Sequence, residues 1–551
     1  MATMEAHEAR VSAIADRVRH FHETKTPFRI YHGATNSTRV LSKDSSQIVD
    51  TSPLTHVLSV NRDDLIVTVE ANVPMDSLVD HLLPLGLIPL VVPEFPGITV
   101  GGSYSGTAAE SSSFREGYFD RTVNWVEIVL ADGEVVRASP TEREDLFYGA
   151  AGALGTLGVV TMMEVRLAKV GRYVEVEYIP TTSAADTLGR LEEMGKDGET
   201  TFLDAILFNS TSGVIVQGRL PPSTTKPSKD VPLQRFSRPK DPWFFLHAHT
   251  KLSHTSPSNT NTTPCRTCTL LPLRERSIPH PPFKELVPIK DYLFRYDRGA
   301  FWMGSYGWEA LPLPFNRFGR RVLDSFFKTR TMYAIMHHSG QSQRFVVQDL
   351  AIPASNAERF IGFCERELRI WPVWICPIRG GSKVPLHRAV NHASASTVEN
   401  HHAQGQNSNS NGEAEAEPAQ TTKREKSDGE ETIINIGLWG IPHTIFNRPV
   451  YYGRSTFPSF ILLNRMIEDK VHELGGLKWL YAHNYTTEDE FWSSYDREGY
   501  ERLKKAWGAE GLASLWEKVG KRRHEWRSTS VFKGFWRGWL GREYLLRRNG
   551  K

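Results

Sequence analysis

The chain has 551 residues, too many for one simple hydrophobic core, so two or three domains are expected. Its composition is that of a folded protein, with 40% hydrophobic and 23% charged residues, and the formal net charge of +3 gives no reason to expect a nucleic-acid partner. The four cysteines are too few for a disulfide scaffold and fit a reducing compartment.

The polar, helix-patterned N-terminus contains no apolar core of a secretory signal, so we expect a protein that is not secreted. No stretch of about 18 consecutive apolar residues occurs, and a membrane-spanning helix is not expected. Cys265 and Cys268 form a CxxC without a second pair, which indicates loop thiols rather than a zinc or redox site. We therefore expect no metal.

The first 170 residues predict an α+β unit with several β-hairpins. Residues 28–40 indicate a strand, a turn and a second strand, and residues 64–73 alternate in polarity as a half-buried strand does. A proline opens and a glycine ends the helical pattern of residues 74–86. The Asp-Gly pair at 132–133 predicts a hairpin turn.

The remaining chain divides into four further parts. Residues 171–382 mix strand and helix patterns and predict a second domain. Residues 383–431 have very few large apolar side chains and predict a disordered low-complexity insertion. Strand patterns resume after it, so residues 432–511 are expected to complete the second domain and to return to the first. Residues 512–551 form a C-terminal tail.

The tail is basic and aromatic. From residue 521 onward, ten Lys or Arg stand against two Glu, interleaved with aromatic residues. This composition suits the surface of a membrane. A terminal helix docked on the body of the protein is the alternative.

Three glycine-rich stretches stand out: residues 31–37, 96–113 and 152–160. Small side chains let another group approach the main chain, and backbone N–H groups hold phosphates well. A flexible loop is the alternative for the longest stretch. The third superficially offers a Rossmann dinucleotide fingerprint, but a strand pattern follows it where that motif requires a helix.

The order of these stretches resembles the flavin-binding domain of the vanillyl-alcohol oxidase, or p-cresol methylhydroxylase (PCMH)-type, superfamily. The family pattern matches "GATNS", "PGITVGG" and "GTLGVVT". The resemblance implies an α+β protein: a PCMH-type FAD-binding domain of two α/β subdomains, plus a substrate (cap) domain with a large antiparallel sheet and flanking helices. It also implies a set of residues that contact FAD. They are Gly33, Ala34, Thr35, Asn36, Ser37, Pro96, Gly97, Ile98, Thr99, Val100, Gly101, Gly102, Ser103, Tyr104, Ser105, Gly106, Thr107, Ala108, Ala109, Glu110, Ser111, Ser112, Gly155, Gly158, Val159 and Val160.

Many members of that superfamily tether the flavin through a histidine in the first turn. Asn36 stands at that position here, and His32 lies on the other side of the glycine. Non-covalent FAD is therefore expected.

A narrower resemblance is to the Δ24-sterol reductase family, also called diminuto/Dwarf1 or seladin-like. It rests on "TVGGSYSGTAAESSSF", "LADGEVV", "VVQDLAIP" and "LYAHNYTTEDEFW", which span nearly the whole chain. The sequence departs from the family at Phe114, where a histidine is usual, and at Ala108, where a glycine is usual. The family's N-terminal membrane anchor also has no match here, which makes the tail the expected membrane contact.

The resemblance implies that NADPH reduces FAD and that flavin N5 delivers hydride to a side-chain Δ24 C=C of a sterol or related isoprenoid. A protein acid must protonate the adjacent carbon, because an isolated alkene has no carbonyl to polarise. Tyr481 and Tyr485 are the candidate catalytic residues, with His483 third, and core packing is the alternative for both tyrosines. Glu110 is expected to bind the FAD ribose or to orient its loop.

Two further sets of residues remain ambiguous in the sequence. Arg295 and Arg298 could meet a nicotinamide-cofactor phosphate, or form salt bridges with Asp291 or Asp297. The aromatic segments at 242–245, 299–308 and 371–377 could line a sterol slot or form domain core.

A flavin oxidase or dehydrogenase of an alcohol or hydroxy acid is the alternative function, because the same fold hosts both chemistries. A flavoprotein scaffold without activity has the Phe114 departure as its sole support. The expected location is the cytoplasmic face of the endoplasmic reticulum membrane, as a peripheral protein, or the cytoplasm.

Overall fold

A computed structural model describes residues 3–33, 36–38, 43–254, 283–308, 311, 313–339, 345–387, 431–441, 444–445, 448–449, 457–520 and 546–547. These residues form two large antiparallel sheets with helices against them, together with three short strand pairs, and the α+β class is confirmed.

The first domain holds the N-terminal sheet. Its strands are β1 (Arg29–Tyr31), β2 (Lys43–Asp44), β3 (Ile48–Asp50), β4 (Val57–Asn61), β5 (Ile66–Glu70), β6 (Leu87–Pro89), β7 (Val123–Val129), β8 (Val135–Ala138) and β9 (Val159–Lys169). Six of them form an antiparallel sheet in the order β4–β5–β9–β7–β8, with β6 paired to the far end of β9. The short strands β1 and β3 pair in parallel beside it.

The long strand β9 organises this sheet. It pairs with β5 on one side and β7 on the other, and its alternating burial shows one face in the core. The hairpin predicted at Asp132–Gly133 is confirmed: Gly133 has a φ of +88°, and the Leu130 N–H donates to the Glu134 carbonyl oxygen.

Five helices cover or connect these strands. They are α1 (Met4–Glu23), α2 (Met75–Leu82), α3 (Val100–Ser105), α4 (Ser113–Glu116) and α5 (Glu144–Ala150). The helix predicted between Pro74 and Gly86 is confirmed as α2, followed by a 3-10 turn that ends at Gly86 with a φ of +73°. Helix α1 buries an apolar stripe, including Val11, Val18 and Phe21, on the first domain.

The second domain is built on an eight-stranded antiparallel sheet. Its strands, from one edge to the other, are β13 (Lys284–Pro288), β10 (Tyr173–Thr181), β12 (Ser212–Arg219), β11 (Phe202–Asn209), β15 (Val373–Ile378), β16 (Ile433–Gly440), β14 (Val346–Pro353) and β19 (Leu477–Lys478). Strands β11, β12, β15 and β16 are almost entirely buried. Both faces of this sheet are therefore covered.

Helices flank this sheet. The helices after the first domain are α6 (Ala184–Met194), α7 (Phe244–Thr250), α8 (Ile289–Leu293), α9 (Met303–Trp308), α10 (Arg317–Val322), α11 (Thr329–Ser339), α12 (Ala354–Phe363), α13 (Phe457–Glu473), α14 (Glu488–Ser494), α15 (Arg497–Ala506) and α16 (Leu515–Val519). Three short pieces of strand complete the described chain: β17 (Thr444–Ile445), β18 (Arg448–Pro449) and β20 (Leu546–Arg547).

The two faces of the large sheet meet different partners. Helices α6, α12 and α13 pack with one face in a separate apolar core. Side chains of the other face, including Ile206, Trp374 and Trp439, share a continuous core with the first domain. The junction of the two domains therefore lies against the second face.

The predicted insertion and tail are described in part. Val384 and Leu386, at the start of the predicted insertion 383–431, are buried, while residues 388–430 lie outside the described residues. In the tail, α16 is docked with Leu515 and Val519 buried, and β20 pairs with β2. Residues 521–545 lie outside the described residues.

Candidate active site

The first turn of α3 packs tightly against Ala71, which follows β5. The Gly101 N–H donates to the Ala71 carbonyl oxygen at 2.7 Å, and a Cβ on Gly101 would lie 2.8 Å from the Ala71 Cβ. Thr99 caps α3 by accepting the Gly102 N–H at 3.1 Å. Close contact with the protein's own chain already requires glycine at position 101.

Hydrogen-bond donors converge on Gly97. Gly97 is buried, and its N–H and that of Thr99 donate to no acceptor among the residues that the structure describes. The Asn36 Nδ2 is also buried and lacks a partner there. A Cβ on Gly97 would lie 3.2 Å from the Arg330 Nε and 3.4 Å from the Asn36 Oδ1. Amide, carboxamide and guanidinium donors around one small residue fit the phosphate or ring oxygens of FAD.

Arg330 brings a charge from the second domain to this loop. From α11, its guanidinium donates to both carboxylate oxygens of Asp76 in α2, at 2.6 and 2.8 Å, and to the Pro96 carbonyl oxygen at 3.2 Å. The ion pair joins a helix of each domain beside Gly97. Sequence reasoning missed Arg330, because nothing in its local pattern links it to a loop more than 200 positions earlier.

The third glycine stretch lies beside the second. The Leu154 N–H donates to the Ser105 carbonyl oxygen at 3.1 Å. Gly155 has a φ of +75°, which favours glycine, and Val159 and Val160 begin β9. The strand that follows this turn confirms that it is not a Rossmann motif.

Glu110 is hydrogen-bonded within its own loop. Its carboxylate accepts the Ser111 hydroxyl at 2.8 Å and the Ser112 hydroxyl, and its N–H donates to the Ser113 Oγ at 2.9 Å. Burial raises the pKa of the Glu110 carboxyl, although these hydrogen bonds oppose the rise. The Leu203 N–H of β11 donates to the Ser111 carbonyl oxygen at 2.7 Å. Glu110 thus orders a loop that is attached to the second domain.

The predicted cofactor-binding residues occupy different places in the structure. Ala34 and Thr35 lie outside the described residues. The side chains of Val100 and Tyr104 are buried in the first-domain core, and the Tyr104 hydroxyl donates to the Phe147 carbonyl oxygen. Val159 and Val160 begin β9, and the other predicted residues lie in the three glycine-rich stretches, which the structure brings together. Several of these residues, including Thr107 and Glu110, are also buried.

The family departure at Phe114 points away from these turns. Its ring lies 3.6 Å from the position a Cβ on Gly195 would take, and it packs against the core on the far face of the large sheet. The phenylalanine at position 114, where the family usually has histidine, is therefore accommodated by packing in the second domain.

Residues 479–483 form hydrogen bonds with the first two glycine-rich stretches or with the residue next to them. The Trp479 Nε1–H donates to the Thr107 carbonyl oxygen at 2.9 Å. The Ser37 hydroxyl donates to the Tyr481 carbonyl oxygen at 2.6 Å, and the His483 N–H to the Thr38 Oγ1 at 3.3 Å. The predicted return of the chain to the first domain is thus a set of specific hydrogen bonds.

Tyr481 meets a carboxyl group of the large sheet. Its hydroxyl donates to the Asp349 Oδ2 at 2.7 Å, and the Trp439 Nε1–H donates to the Asp349 Oδ1 at 3.3 Å. Burial raises the pKa of Asp349 to about 6, against the effect of these hydrogen bonds. Burial also raises the pKa of Tyr481 well above its usual value. Asp349 is the single acid in the apolar strand β14, a signal that the sequence contained.

Tyr485 has different surroundings. It packs edge-to-face against Phe460 in the core between the large sheet and its helices, with ring centroids 6.0 Å apart. Its N–H donates to the Glu468 carboxylate, which also pairs with Lys478. The structure thus separates the two predicted catalytic tyrosines: Tyr481 faces Asp349, and Tyr485 lies within a core.

A small cavity of about 30 Å³ lies beside the second glycine stretch. His387 lines it and contacts the Thr107 Oγ1 at 3.2 Å, the Ser382 Oγ at 2.8 Å and the Tyr118 ring at 4.6 Å. Burial, with the charge of Arg121, lowers the pKa of His387 to about 3, so the imidazole is neutral. Sequence reasoning missed His387 because it stands inside the predicted low-complexity insertion.

Arg295 and Arg298 form buried salt bridges, with partners other than those expected. Arg295 pairs with Asp204 at 2.9 Å and Arg298 with Asp324 at 2.6 Å, in place of Asp291 or Asp297. Both guanidinium groups are almost fully buried, so neither is open to a nucleotide phosphate.

The aromatic segments that were candidate slot lining are core in the structure. Trp243, Phe245, Trp302, Trp308 and Trp374 are all at most 3% exposed. Among the described residues, no helix is both long and apolar enough to cross a membrane. The CxxC at Cys265 and Cys268 lies outside the described residues.

Comparison with known proteins identifies the cofactor domain. Residues 8–139 match the family described as "FAD binding domain". The chain is 26% identical over 491 residues to a delta(24)-sterol reductase of Arabidopsis thaliana, covering 86% of this chain and 77% of that protein. It is 25% identical over 483 residues to the delta(24)-sterol reductase of Homo sapiens, covering 85% and 77%. Over 144 residues, or 25% of the chain, it is 31% identical to cytokinin dehydrogenase 9 of Oryza sativa subsp. japonica, of which those residues cover 27%.

The chain therefore carries a PCMH-type FAD-binding domain, and its resemblance to the delta(24)-sterol reductases is confirmed over most of its length. It is an FAD-dependent oxidoreductase.

Proposed function

We propose that this enzyme uses NADPH to reduce the side-chain Δ24 C=C of a sterol or related isoprenoid. The observation that carries the proposal is the extent of the similarity, which runs through the second domain as well as the first. A shared FAD domain alone does not select a substrate, because one fold hosts many activities. The match to a cytokinin dehydrogenase covers a quarter of the chain.

The three glycine turns and Arg330 would hold the cofactor. Its donors would be the N–H groups of Gly97 and Thr99, which have no acceptor among the described residues, the Asn36 carboxamide and the Arg330 guanidinium. Asn36 cannot form the covalent link that a histidine forms, so the flavin is held without a bond to that turn. When bound, FAD supplies a two-electron carrier that takes hydride from NADPH and gives it, through N5, to one carbon of the double bond.

Tyr481 would protonate the other carbon. Its raised pKa keeps the hydroxyl protonated at neutral pH, and its hydrogen bond to Asp349 fixes its orientation. Asp349, with a pKa of about 6, can return a proton to Tyr481 after each turnover. Tyr485 is the second candidate donor.

A flavin oxidase or dehydrogenase of an alcohol or hydroxy acid is the alternative. The 144-residue similarity to cytokinin dehydrogenase 9 favours it. Both reactions use the same cofactor domain, so the direction of electron flow separates them.

The location follows from the proposed substrate, because sterols reside in membranes. We propose peripheral attachment to the cytoplasmic face of the endoplasmic reticulum, with the basic aromatic tail as one contact. Green-fluorescent fusions with and without residues 521–551 would test this: retention of the reticular pattern without the tail would contradict the tail's role.

Product analysis tests the reaction. Purified protein with FAD is incubated with desmosterol and NADPH in deuterated water, and the sterol product is examined by mass spectrometry. A product with a saturated side chain that carries at least one solvent deuteron is expected, since the protein acid takes its proton from solvent and the hydride originates in the nicotinamide. An unchanged sterol, together with oxidation of an alcohol substrate, would support the alternative.

A further inference from the structure

A cluster of exposed apolar side chains lies in the segment before α11. Phe318 and Val322 are 76% and 60% exposed, the largest exposures of any large apolar residue in the described chain, and Leu313 is 50% exposed. Single exposed apolar residues need no explanation, but Phe318 and Val322 lie one turn apart in the same helix and form an exposed apolar pair. We refer to residues 313–328 as the Phe318 surface.

Packing fixes which side of α10 faces outward. A Cβ on Gly319 would lie 2.8 Å from the Trp308 Cζ2, so glycine lets the helix rest on that ring. Arg320 is buried, with its guanidinium 4.8 Å from the centroid of the Phe315 ring. Gly319 and Arg320 therefore form the inward side of α10. Phe318 and Val322 are four positions apart in this helix and lie together on another face. Their exposure is therefore set by the core beneath them.

Positive charge surrounds the apolar group. Arg317 and Arg321 are exposed, and neither forms an ion pair with any residue that the structure describes. Lys328 is exposed as well. The one carboxylate within residues 313–328, Asp324, is buried and paired with Arg298. The surface thus combines apolar and cationic groups without an exposed acid.

We propose that the Phe318 surface docks the protein on a membrane that contains anionic lipids. Apolar side chains flanked by arginines match the acyl boundary and the phosphate headgroups of such a membrane. Self-association through the same surface is disfavoured, because a two-fold interface would bring the arginines of two copies together. The inference goes beyond the proposed reaction and does not depend on it.

Vesicle co-sedimentation of the full-length protein tests the proposal. The vesicles are phosphatidylcholine alone, or phosphatidylcholine with phosphatidylserine. The double variant Phe318→Ser/Val322→Ser should lose at least about tenfold in affinity for the mixed vesicles, since each side chain inserts into the acyl boundary. Arg317→Gln/Arg321→Gln should lose about fivefold per arginine on the mixed vesicles and little on phosphatidylcholine alone.

Leu462→Ser is the matched control, because Leu462 is also 50% exposed but lies in α13. Equal circular dichroism spectra and flavin absorbance establish that each variant is folded. Unchanged vesicle binding by both double variants would overturn the proposal and assign membrane contact to another segment, such as the tail. Native mass spectrometry tests for self-association. If the wild-type protein is a dimer, the Phe318→Ser/Val322→Ser variant is a monomer, and vesicle binding is unchanged, the proposal is also overturned.

Discussion

The hydroxyl of Tyr481 and the carboxyl of Asp349 form the polar pair from which the proposed proton transfer is argued. One lies in the segment that returns to the glycine turns, and the other in a strand of the large sheet. The Tyr481 carbonyl oxygen accepts the Ser37 hydroxyl of the first domain, so this pair lies at the junction of the two domains. Single substitutions at Tyr481, at Asp349 and at Tyr485 test the proposed proton transfer.

Removing each tyrosine hydroxyl separates the two candidate donors. Tyr481→Phe is expected to lower kcat about 100-fold or more, because general acid catalysis contributes on that order. Tyr485→Phe is expected to change kcat less than threefold, since Tyr485 packs against Phe460 in a core. Flavin reduction by NADPH alone, followed at 450 nm, should be the same in both variants. The reverse order of effects would make Tyr485 the donor.

The pKa of Asp349 predicts a pH profile. Because burial raises that pKa to about 6, the carboxyl carries a proton below about pH 6 and loses it as pH rises. If Asp349 resupplies Tyr481, kcat declines above pH 6, and Asp349→Asn has a lower kcat without that decline. A profile in which Asp349→Asn keeps the same decline would assign it to another group.

At the scale of elements, a buried ion cluster fastens α1 to the first sheet. Glu70 accepts hydrogen bonds from His7, Arg10 and His56. Burial favours the neutral forms of Glu70 and His7, but the hydrogen bonds in the cluster favour the charged forms more strongly. The pKa of Glu70 is thus lowered to about 2, and bonds to Glu127 and Glu70 raise the pKa of His7 to about 9.

The shifted pKa values in this cluster predict that the free energy of unfolding falls at both acidic and alkaline pH. The contribution of Glu70 is present above its ordinary pKa of 4.5 and is lost as pH falls toward 2. That of His7 is complete below 6.5 and is lost as pH rises through 9. His7→Gln should cost about 3 kcal/mol and abolish the alkaline loss. The exposed His22→Gln in the same helix is the control, and equal urea midpoints for the two variants would contradict the account.

The close packing of Gly101 in α3 predicts how much a single added methyl group lowers the stability of the protein. Gly101→Ala should destabilise the protein by about 1–3 kcal/mol, because the added Cβ meets Ala71 at 2.8 Å. Gly189→Ala in α6 meets nothing within 4 Å and should stabilise by about 0.5–1 kcal/mol. Thermal unfolding of the apoproteins measures both. A neutral Gly101→Ala would show that the loop does not pack as closely as described.

How far the sequence predicts these elements depends on sequence separation. The hairpin at Asp132–Gly133 and helix α2 follow from local periodicity and turn residues, and both are confirmed. The Arg295–Asp204 salt bridge joins residues 91 positions apart, and Tyr481 and Asp349 are 132 positions apart. Such pairs depend on the register of the large sheet, which no local pattern specifies.

At the scale of the whole molecule, Arg330 links the second domain to the cofactor loops of the first. Its guanidinium is half exposed and bonded to Asp76, so the ion pair alone adds little stability. Its proximity to Gly97 places it where the proposed cofactor would bind.

Arg330→Gln should therefore raise the Kd for FAD about tenfold, because a charge-assisted hydrogen bond is lost. Its effect on the unfolding of the apoprotein should be under about 1 kcal/mol. Quenching of flavin fluorescence on titration into the apoprotein measures the Kd. Arg359→Gln, which breaks an exposed pair with Glu473, is the control. Equal Kd values for the two variants would exclude Arg330 from the cofactor site.

Electron flow through the whole molecule is the central claim, and anaerobic spectroscopy tests it most directly. The FAD-loaded protein is mixed with NADPH without oxygen while its 450 nm band is recorded, and desmosterol is then added. The account predicts rapid bleaching by NADPH and recovery of the band when the sterol is reduced. A band that NADPH leaves intact, but that an alcohol or hydroxy acid bleaches, would contradict it.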